Sequence, residues 1–125
     1  MERKESIPKV VVLFEVIPKV KCKDEYLQLG AALKAELSEF PGFISVERFA
    51  SLNEEGKLLS LSFWESEEAA AQWRNSLNHR ACQKKGHGSL FERYRISVAE
   101  VVRSYTRDDR SYAPEDSNCY LGVRR

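Results

Sequence analysis

Both tryptophans and both histidines of the chain fall in one stretch, Trp64 to Gly88, WESEEAAAQWRNSLNHRACQKKGHG. Histidine is the side chain whose ordinary pKa lies nearest neutrality, so His79 has the chemistry of a general base. Its spacing leaves two readings open. On a straight helix it falls off the stripe of Trp73 and in line with Gln72, Asn75 or Ser76, and Gln83. Either that polar face is solvated, or the helix bends after Asn78 and carries His79 over a pocket mouth. Trp73 shares a stripe with Ala69, Ala70 and Leu77, which is the pattern of packing against a sheet, with pocket lining the rarer role. Arg74, Arg80, Lys84 and Lys85 gather near the helix end, where cations answer the helix dipole and where an anionic substrate could also use them. Cys82 reads as an inert buried thiol without an acidifying partner. His87, between two glycines, reads as a loop residue and is left out of the site.

The totals narrow the class of protein. A chain of 125 residues fits one domain, and 42% hydrophobic with 31% charged residues describes a soluble globular surface around a real core. A net charge of +1 offers little to a phosphate backbone, so nucleic acid is not an expected partner. Cys22, Cys82 and Cys119 are odd in number and widely separated, without a CxxC pair, so neither a disulfide framework nor a zinc site is indicated and a reducing cytoplasm is the simplest home. The charged opening MERKESIPK and the short apolar run VVVLFEVI, interrupted by Glu15, point to no signal peptide and no membrane span.

The elements that must position these side chains follow from periodicity. KVVVLFEVI, residues 9 to 17, is β-branched and aromatic before Pro18, a first strand. Tyr26, Leu29, Leu33, Leu37 and Phe40 recur at helical spacing, with Asp24 as the expected cap and Pro41-Gly42 as the stop. FISVERFASL (43 to 52) and KLLSLSFWE (57 to 65) flank NEEG as an antiparallel hairpin. Ser66, followed by Glu67 and Glu68, caps a second helix that bends or restarts near Arg80 and stops by Gly86 to Gly88. A last strand spans 89 to 105, with Tyr94, Ile96 and Val98 expected to face inward. The order is βαββαβ, an α+β ferredoxin-like sandwich with both helices on one face of an antiparallel sheet. If Trp64 and Ser62 point one way, Leu61 and Phe63 point the other, and that second face needs cover, which a homodimer would supply. One domain over 1 to 105 is expected, with an extended C-terminal tail over 106 to 125 that is polar and without period.

This order, with FPGFISVERFASLNEEGKLLSLSFWESEEAAAQWRNSLNHRACQKKGHGSLFERYRISVAEVVRSY, resembles the antibiotic biosynthesis monooxygenase family of dimeric α+β barrel proteins. The features that carry it are a tryptophan ending the third strand before an acidic capped helix, the Trp73-Arg74 pair, His79, Gln83 and Gly86. The resemblance implies a pocket between sheet and helices and, in members that use no cofactor, oxidation of an electron-rich phenol, quinol or polyketide-type aromatic by dioxygen, with no metal. In those terms His79 is the base, Arg74 or Tyr94 stabilises the anion, and Phe14, Trp64, Trp73, Gln83 and Phe91 contact a small aromatic molecule. The haem-degrading branch pairs an asparagine in the first strand with a histidine ten residues beyond the helix-two tryptophan. Here the first strand has no asparagine, and Gln83 stands at that position, which speaks against haem degradation by that route. The alternative is a non-catalytic ligand-binding or stress-associated dimer of the same fold, favoured if His79 faces solvent rather than an enclosed cavity.

Overall fold

The computed structural model describes residues 7–123; the side chains of Leu77 and Asn78 lie outside the described set. Strand β1 spans Val10–Pro18, helix α1 Lys23–Ser38 after a short 3-10 turn, β2 Phe43–Ala50 and β3 Leu58–Trp64. Helices α2 (Glu67–Arg74) and α3 (Leu77–Lys85) follow, then a π turn over Gly86–Leu90, strand β4 (Phe91–Glu100) and helix α4 (Glu115–Leu121). The four strands form one antiparallel sheet in the order β2-β3-β1-β4, with β1 and β3 in the centre. This is the ferredoxin-like α+β fold that the order of elements implies. No described helix is long and apolar enough to cross a membrane.

The register sorts the strands into two rows, because successive side chains leave a strand on opposite faces. Val12 lies opposite Ser62 and Val98, and Phe14 opposite Ser60 and Ile96, so these share the helix-facing row with Trp64. Val11, Leu13, Leu59, Leu61 and Phe63 form the other row, half-buried and apolar. On the helical side Trp64 and Trp73 anchor a core with Val10, Leu37, Ala69 and Ala70. The turn at Pro41-Gly42 is pinned there: Gly42 has φ +83°, and a Cβ on it would strike the Cβ of Ala69 in α2.

Three expectations are corrected by the local geometry, and a fourth is met in part. Asp24 does not cap α1; the helix begins one residue earlier, Cys22 holds the N-cap position without a side-chain bond, and Asp24 sits in the first turn, where it still favours the dipole. The second helical segment breaks at Asn75 and Ser76, not at Arg80 or after Asn78, because Ser76 adopts an extended conformation and caps a new helix. The segment after Tyr105 is not extended throughout: Pro114 opens α4, Glu115 and Asp116 occupy its first turn, and Gly122 ends it at φ +68°. The inward orientation of Tyr94, Ile96 and Val98 holds in part: all three lie in the helix-facing row and Ile96 and Val98 line the cavity on that side, but at 43%, 49% and 49% exposure they remain partly open on the edge strand β4.

Candidate active site

A cavity of about 550 Å³ lies between the sheet and the helices, a size that suits one small organic ligand. Its sheet wall is Val12, Phe14, Ser60, Ser62 and Trp64; α1 supplies Tyr26, Leu29, Leu33 and Leu37. The third wall comes from α2 and α3: Ala70, Trp73, Arg74, His79, Cys82 and Gln83. Phe91 and Leu90 complete it at the start of β4. The lining is mostly apolar, with polar groups at a few points, the usual make-up of a small-molecule site.

His79 reaches this cavity because the helix breaks. The Ser76 hydroxyl accepts the backbone N–H of His79 at 3.4 Å, fixing His79 in the first turn of α3. From there its imidazole stacks on the indole of Trp73, ring centroids 5.0 Å apart and planes 19° from parallel. Its Nδ1 is buried and makes no hydrogen bond among the described residues. An unsatisfied buried polar atom costs on the order of 1–3 kcal/mol, so a ligand hydroxyl that paired with it would recover part of that cost. Burial pulls the His79 pKa below the ordinary 6.5; the carbonyl of Trp73 opposes this and the charge of Arg80 adds to it. The ring is therefore neutral at pH 7 and able to accept a proton.

The other sequence candidates divide. Trp64 is 1% exposed, donates its indole N–H to Ser62 Oγ at 2.9 Å, and meets Phe40 and Phe43 edge-on, so it belongs to core and cavity at once. Trp73 is also buried, against Phe40 at 5.3 Å. Phe14 and Phe91 pack on each other at 5.6 Å, and both line the cavity. Gln83 lines it too, while its Oε1 accepts a bond from Arg80 at 3.3 Å. Arg74 lines it from the last turn of α2. Tyr94 is not among the lining residues; its ring lies 6.1 Å from that of Phe14 and 5.8 Å from that of Phe91, and its hydroxyl pairs with His87 Nδ1 at 2.8 Å. Among the described residues no group of three His, Cys, Asp or Glu is arranged to hold a metal.

Among the lining residues that the sequence did not assign to the site, Tyr26 and Arg48 stand out. Tyr26 is buried under α1, edge-on to Phe91 at 5.4 Å. Arg48 projects from β2 across the cavity, its guanidinium 5.6 Å from the Tyr26 ring centroid and lying where a Cβ on Gly30 would be. A glycine inside a helix costs about 1 kcal/mol relative to alanine, and Gly30 was the available signal of a close approach to α1.

The sequence model of the family described as antibiotic biosynthesis monooxygenase matches residues 9–85. The chain belongs to this family. Among relatives of the antibiotic biosynthesis monooxygenase domain, a jasmonate monooxygenase from Pyricularia oryzae is 38% identical over 93 residues, 74% of this chain and 43% of that protein. The uncharacterised protein YqjZ of Bacillus subtilis is 35% identical over 63 residues, 50% of this chain and 54% of its own. The chain thus spans about half the length of the curated relatives it matches. Among solved structures, Rv0793 from Mycobacterium tuberculosis superposes with a TM-score of 0.69 at 16% identity, covering 78% of this chain and 98% of that one. A variant of SnoaB, a cofactor-independent oxygenase from Streptomyces nogalater, superposes at 0.67 and 9% identity, covering 78% and 97%. At such identities the likeness is one of fold.

Proposed function

We propose that this antibiotic biosynthesis monooxygenase domain is a cofactor-independent monooxygenase of a small electron-rich aromatic, a phenol, quinol or polyketide-type ring. The observation that carries the reading is His79: a half-buried imidazole whose pKa is lowered by burial and whose buried Nδ1 has no partner among the described residues, in the wall of an apolar cavity. A His79 facing open solvent would have favoured a binding module.

The chemistry needs a base and a dry aromatic chamber. His79 takes the proton of the substrate hydroxyl, leaving an anion rich enough to pass one electron to dioxygen. The radical and superoxide join at a ring carbon that bears hydrogen, forming a C–O bond, and the proton returns from His79 to give a hydroperoxide. His79 then removes the hydrogen on that carbon, the O–O bond breaks, a carbonyl forms, and hydroxide leaves with the proton as water. The substrate supplies all four electrons, so the sum is substrate plus dioxygen giving quinone plus water, with no external reductant. Arg74 lines the same cavity, which supports it as the group that stabilises the anion. Phe14, Trp64, Trp73 and Phe91 keep water from the charged intermediates, and Gln83 supplies a polar contact. Tyr94 enters through its packing on Phe14 and Phe91, as support for that wall.

The functional unit in this reading is a homodimer. The half-buried row Val11, Leu13, Leu59, Leu61 and Phe63 on the far side of the sheet is a contiguous apolar surface of the kind that a second sheet covers. Glu15, the acid in β1's outward row, is satisfied within the chain: Arg95 Nε lies 2.7 Å and Lys57 Nζ 3.1 Å from it.

The test uses chelator-treated protein with anthrones, naphthols and hydroquinones under labelled dioxygen. One dioxygen consumed per substrate and one labelled atom in the product carbonyl are the expected result. Absence of any turnover above the uncatalysed rate, with binding retained, would instead support a ligand-binding protein of this fold.

A further inference from the structure

Arg48 and Lys34 are cations of the cavity that the proposed chemistry leaves unused, and Arg48 is the one held over an aromatic ring. It stands in the helix-facing row of β2, opposite Ser60, while its neighbour Glu47 alternates onto the other row. Its guanidinium spans the cavity to α1, over the Tyr26 ring and against the backbone of Gly30. Among the described residues no carboxylate lies within 4.0 Å of it, whereas Arg93 and Arg95, on the outer row, each have a glutamate. A guanidinium is a rigid planar fork matched to a carboxylate, and this one is oriented by an aromatic face and a glycine cleft while its strongest kind of partner is missing. Gly30 makes sense in the same terms: the helix gives up a side chain where the guanidinium must lie.

We propose that Arg48 is a carboxylate anchor, so that the natural ligand of the cavity is an aromatic acid rather than a neutral ring. The proposal rests on the reading of this cavity as the substrate site. It assigns separate duties to two walls: β2 and α1 hold the carboxylate, and α3 presents His79 to the reacting hydroxyl. Arg74, on α2, is left free to meet charge that develops on the ring oxygen.

Anaerobic calorimetry separates binding from turnover. The probes are 6-hydroxy-2-naphthoate and its methyl ester, which share a ring and a hydroxyl and differ in the carboxylate charge. Intact protein is expected to bind the acid at least tenfold tighter than the ester. Arg48→Met, which keeps an apolar stem over Gly30, is expected to weaken the acid to the level of the ester and leave the ester unchanged. Arg48→Lys should restore part of the preference. Gly30→Ala retains the charge but occupies its resting place, and it too should weaken the acid selectively, with circular dichroism verifying the fold of each variant. Equal affinities in intact protein, no measurable binding of the acid, a preference that survives Arg48→Met, or a preference lost in Arg74→Gln but kept in Arg48→Met would each overturn the anchor. Oxidation of the ester without any preference for the acid would refute the anchor and keep the oxygenase. Selective binding of the acid without oxygen consumption by any substrate would keep the anchor and refute the oxygenase.

Discussion

The imidazole of His79 lies on the indole of Trp73, centroids 5.0 Å apart and planes 19° from parallel, although a continuous helix would hold the two residues on different faces. The break at Asn75 and Ser76 creates the contact, and the Ser76 hydroxyl that caps the new helix accepts the N–H of His79 itself. Ser76→Ala should therefore cost about 1 kcal/mol and lower the melting temperature by about 4 °C. It should also lower turnover more than a cap change remote from the site, such as Ser66→Ala on α2. Paired thermal melts and initial rates of the two variants check this; equal losses of rate would detach the break from function.

Burial gives His79 a pKa below 6.5 in the folded protein. The unfolded chain therefore binds the proton more readily, and folding stability contributed by this group is full above pH 6.5 and falls as pH drops below it. The acidic limb of the rate profile should follow the same shift, with activity persisting below the pKa of an ordinary imidazole. Titration of the His79 ring by NMR, alongside urea melts at several pH values, reads both effects. A midpoint above 6.5 would contradict the buried, neutral ring.

Leu61 stands at the centre of the apolar outer row, opposite Leu13. Leu61→Arg should convert a dimer to a folded monomer, seen as a halved mass by light scattering at micromolar concentration with the circular dichroism spectrum unchanged. A monomeric parent protein would remove the premise.

Several bonds join neighbours within residues 105 to 118: Thr106 N–H to the Asp109 carbonyl, Arg110 Nε to Asn118 Oδ1, and Arg110 over the Tyr105 ring. Truncation after Tyr105 should change the melting temperature by less than about 4 °C, equivalent to roughly 1 kcal/mol. A larger loss would show that α4 is part of the body of the domain.

What the sequence disclosed was what local physics determines. The β-branched run of β1, the stop at Pro41-Gly42 and the Ser66 cap with Glu67 and Glu68 act over a few residues, and each stands where its signal places it. His79 was legible as a base by residue type, but not by position, because its placement depends on one extended residue, Ser76, inside a stretch that otherwise reads as helix. Arg48 was hidden for a different reason: its meeting with Gly30 and Tyr26 is tertiary, and strand alternation alone does not say which row faces the helices. Helix α4 was missed because seven residues are too few to display a period, although Pro114 and Gly122 mark both its ends. That Tyr94 packs on Phe14 and Phe91 without lining the cavity is a tertiary outcome of sheet order, which places β4 at the edge, and no local property of residues 91 to 100 displays it.

The central claim is that His79 works as the base, and the measurement that tests it most directly is oxygen consumption by chelator-treated protein, wild type against His79→Ala, on the best substrate of the aromatic panel. The account predicts a rate lower by at least about 100-fold in the variant, the usual size of a lost general base, with substrate affinity retained. Equal rates in the two proteins would contradict it and return His79 to the packing of Trp73.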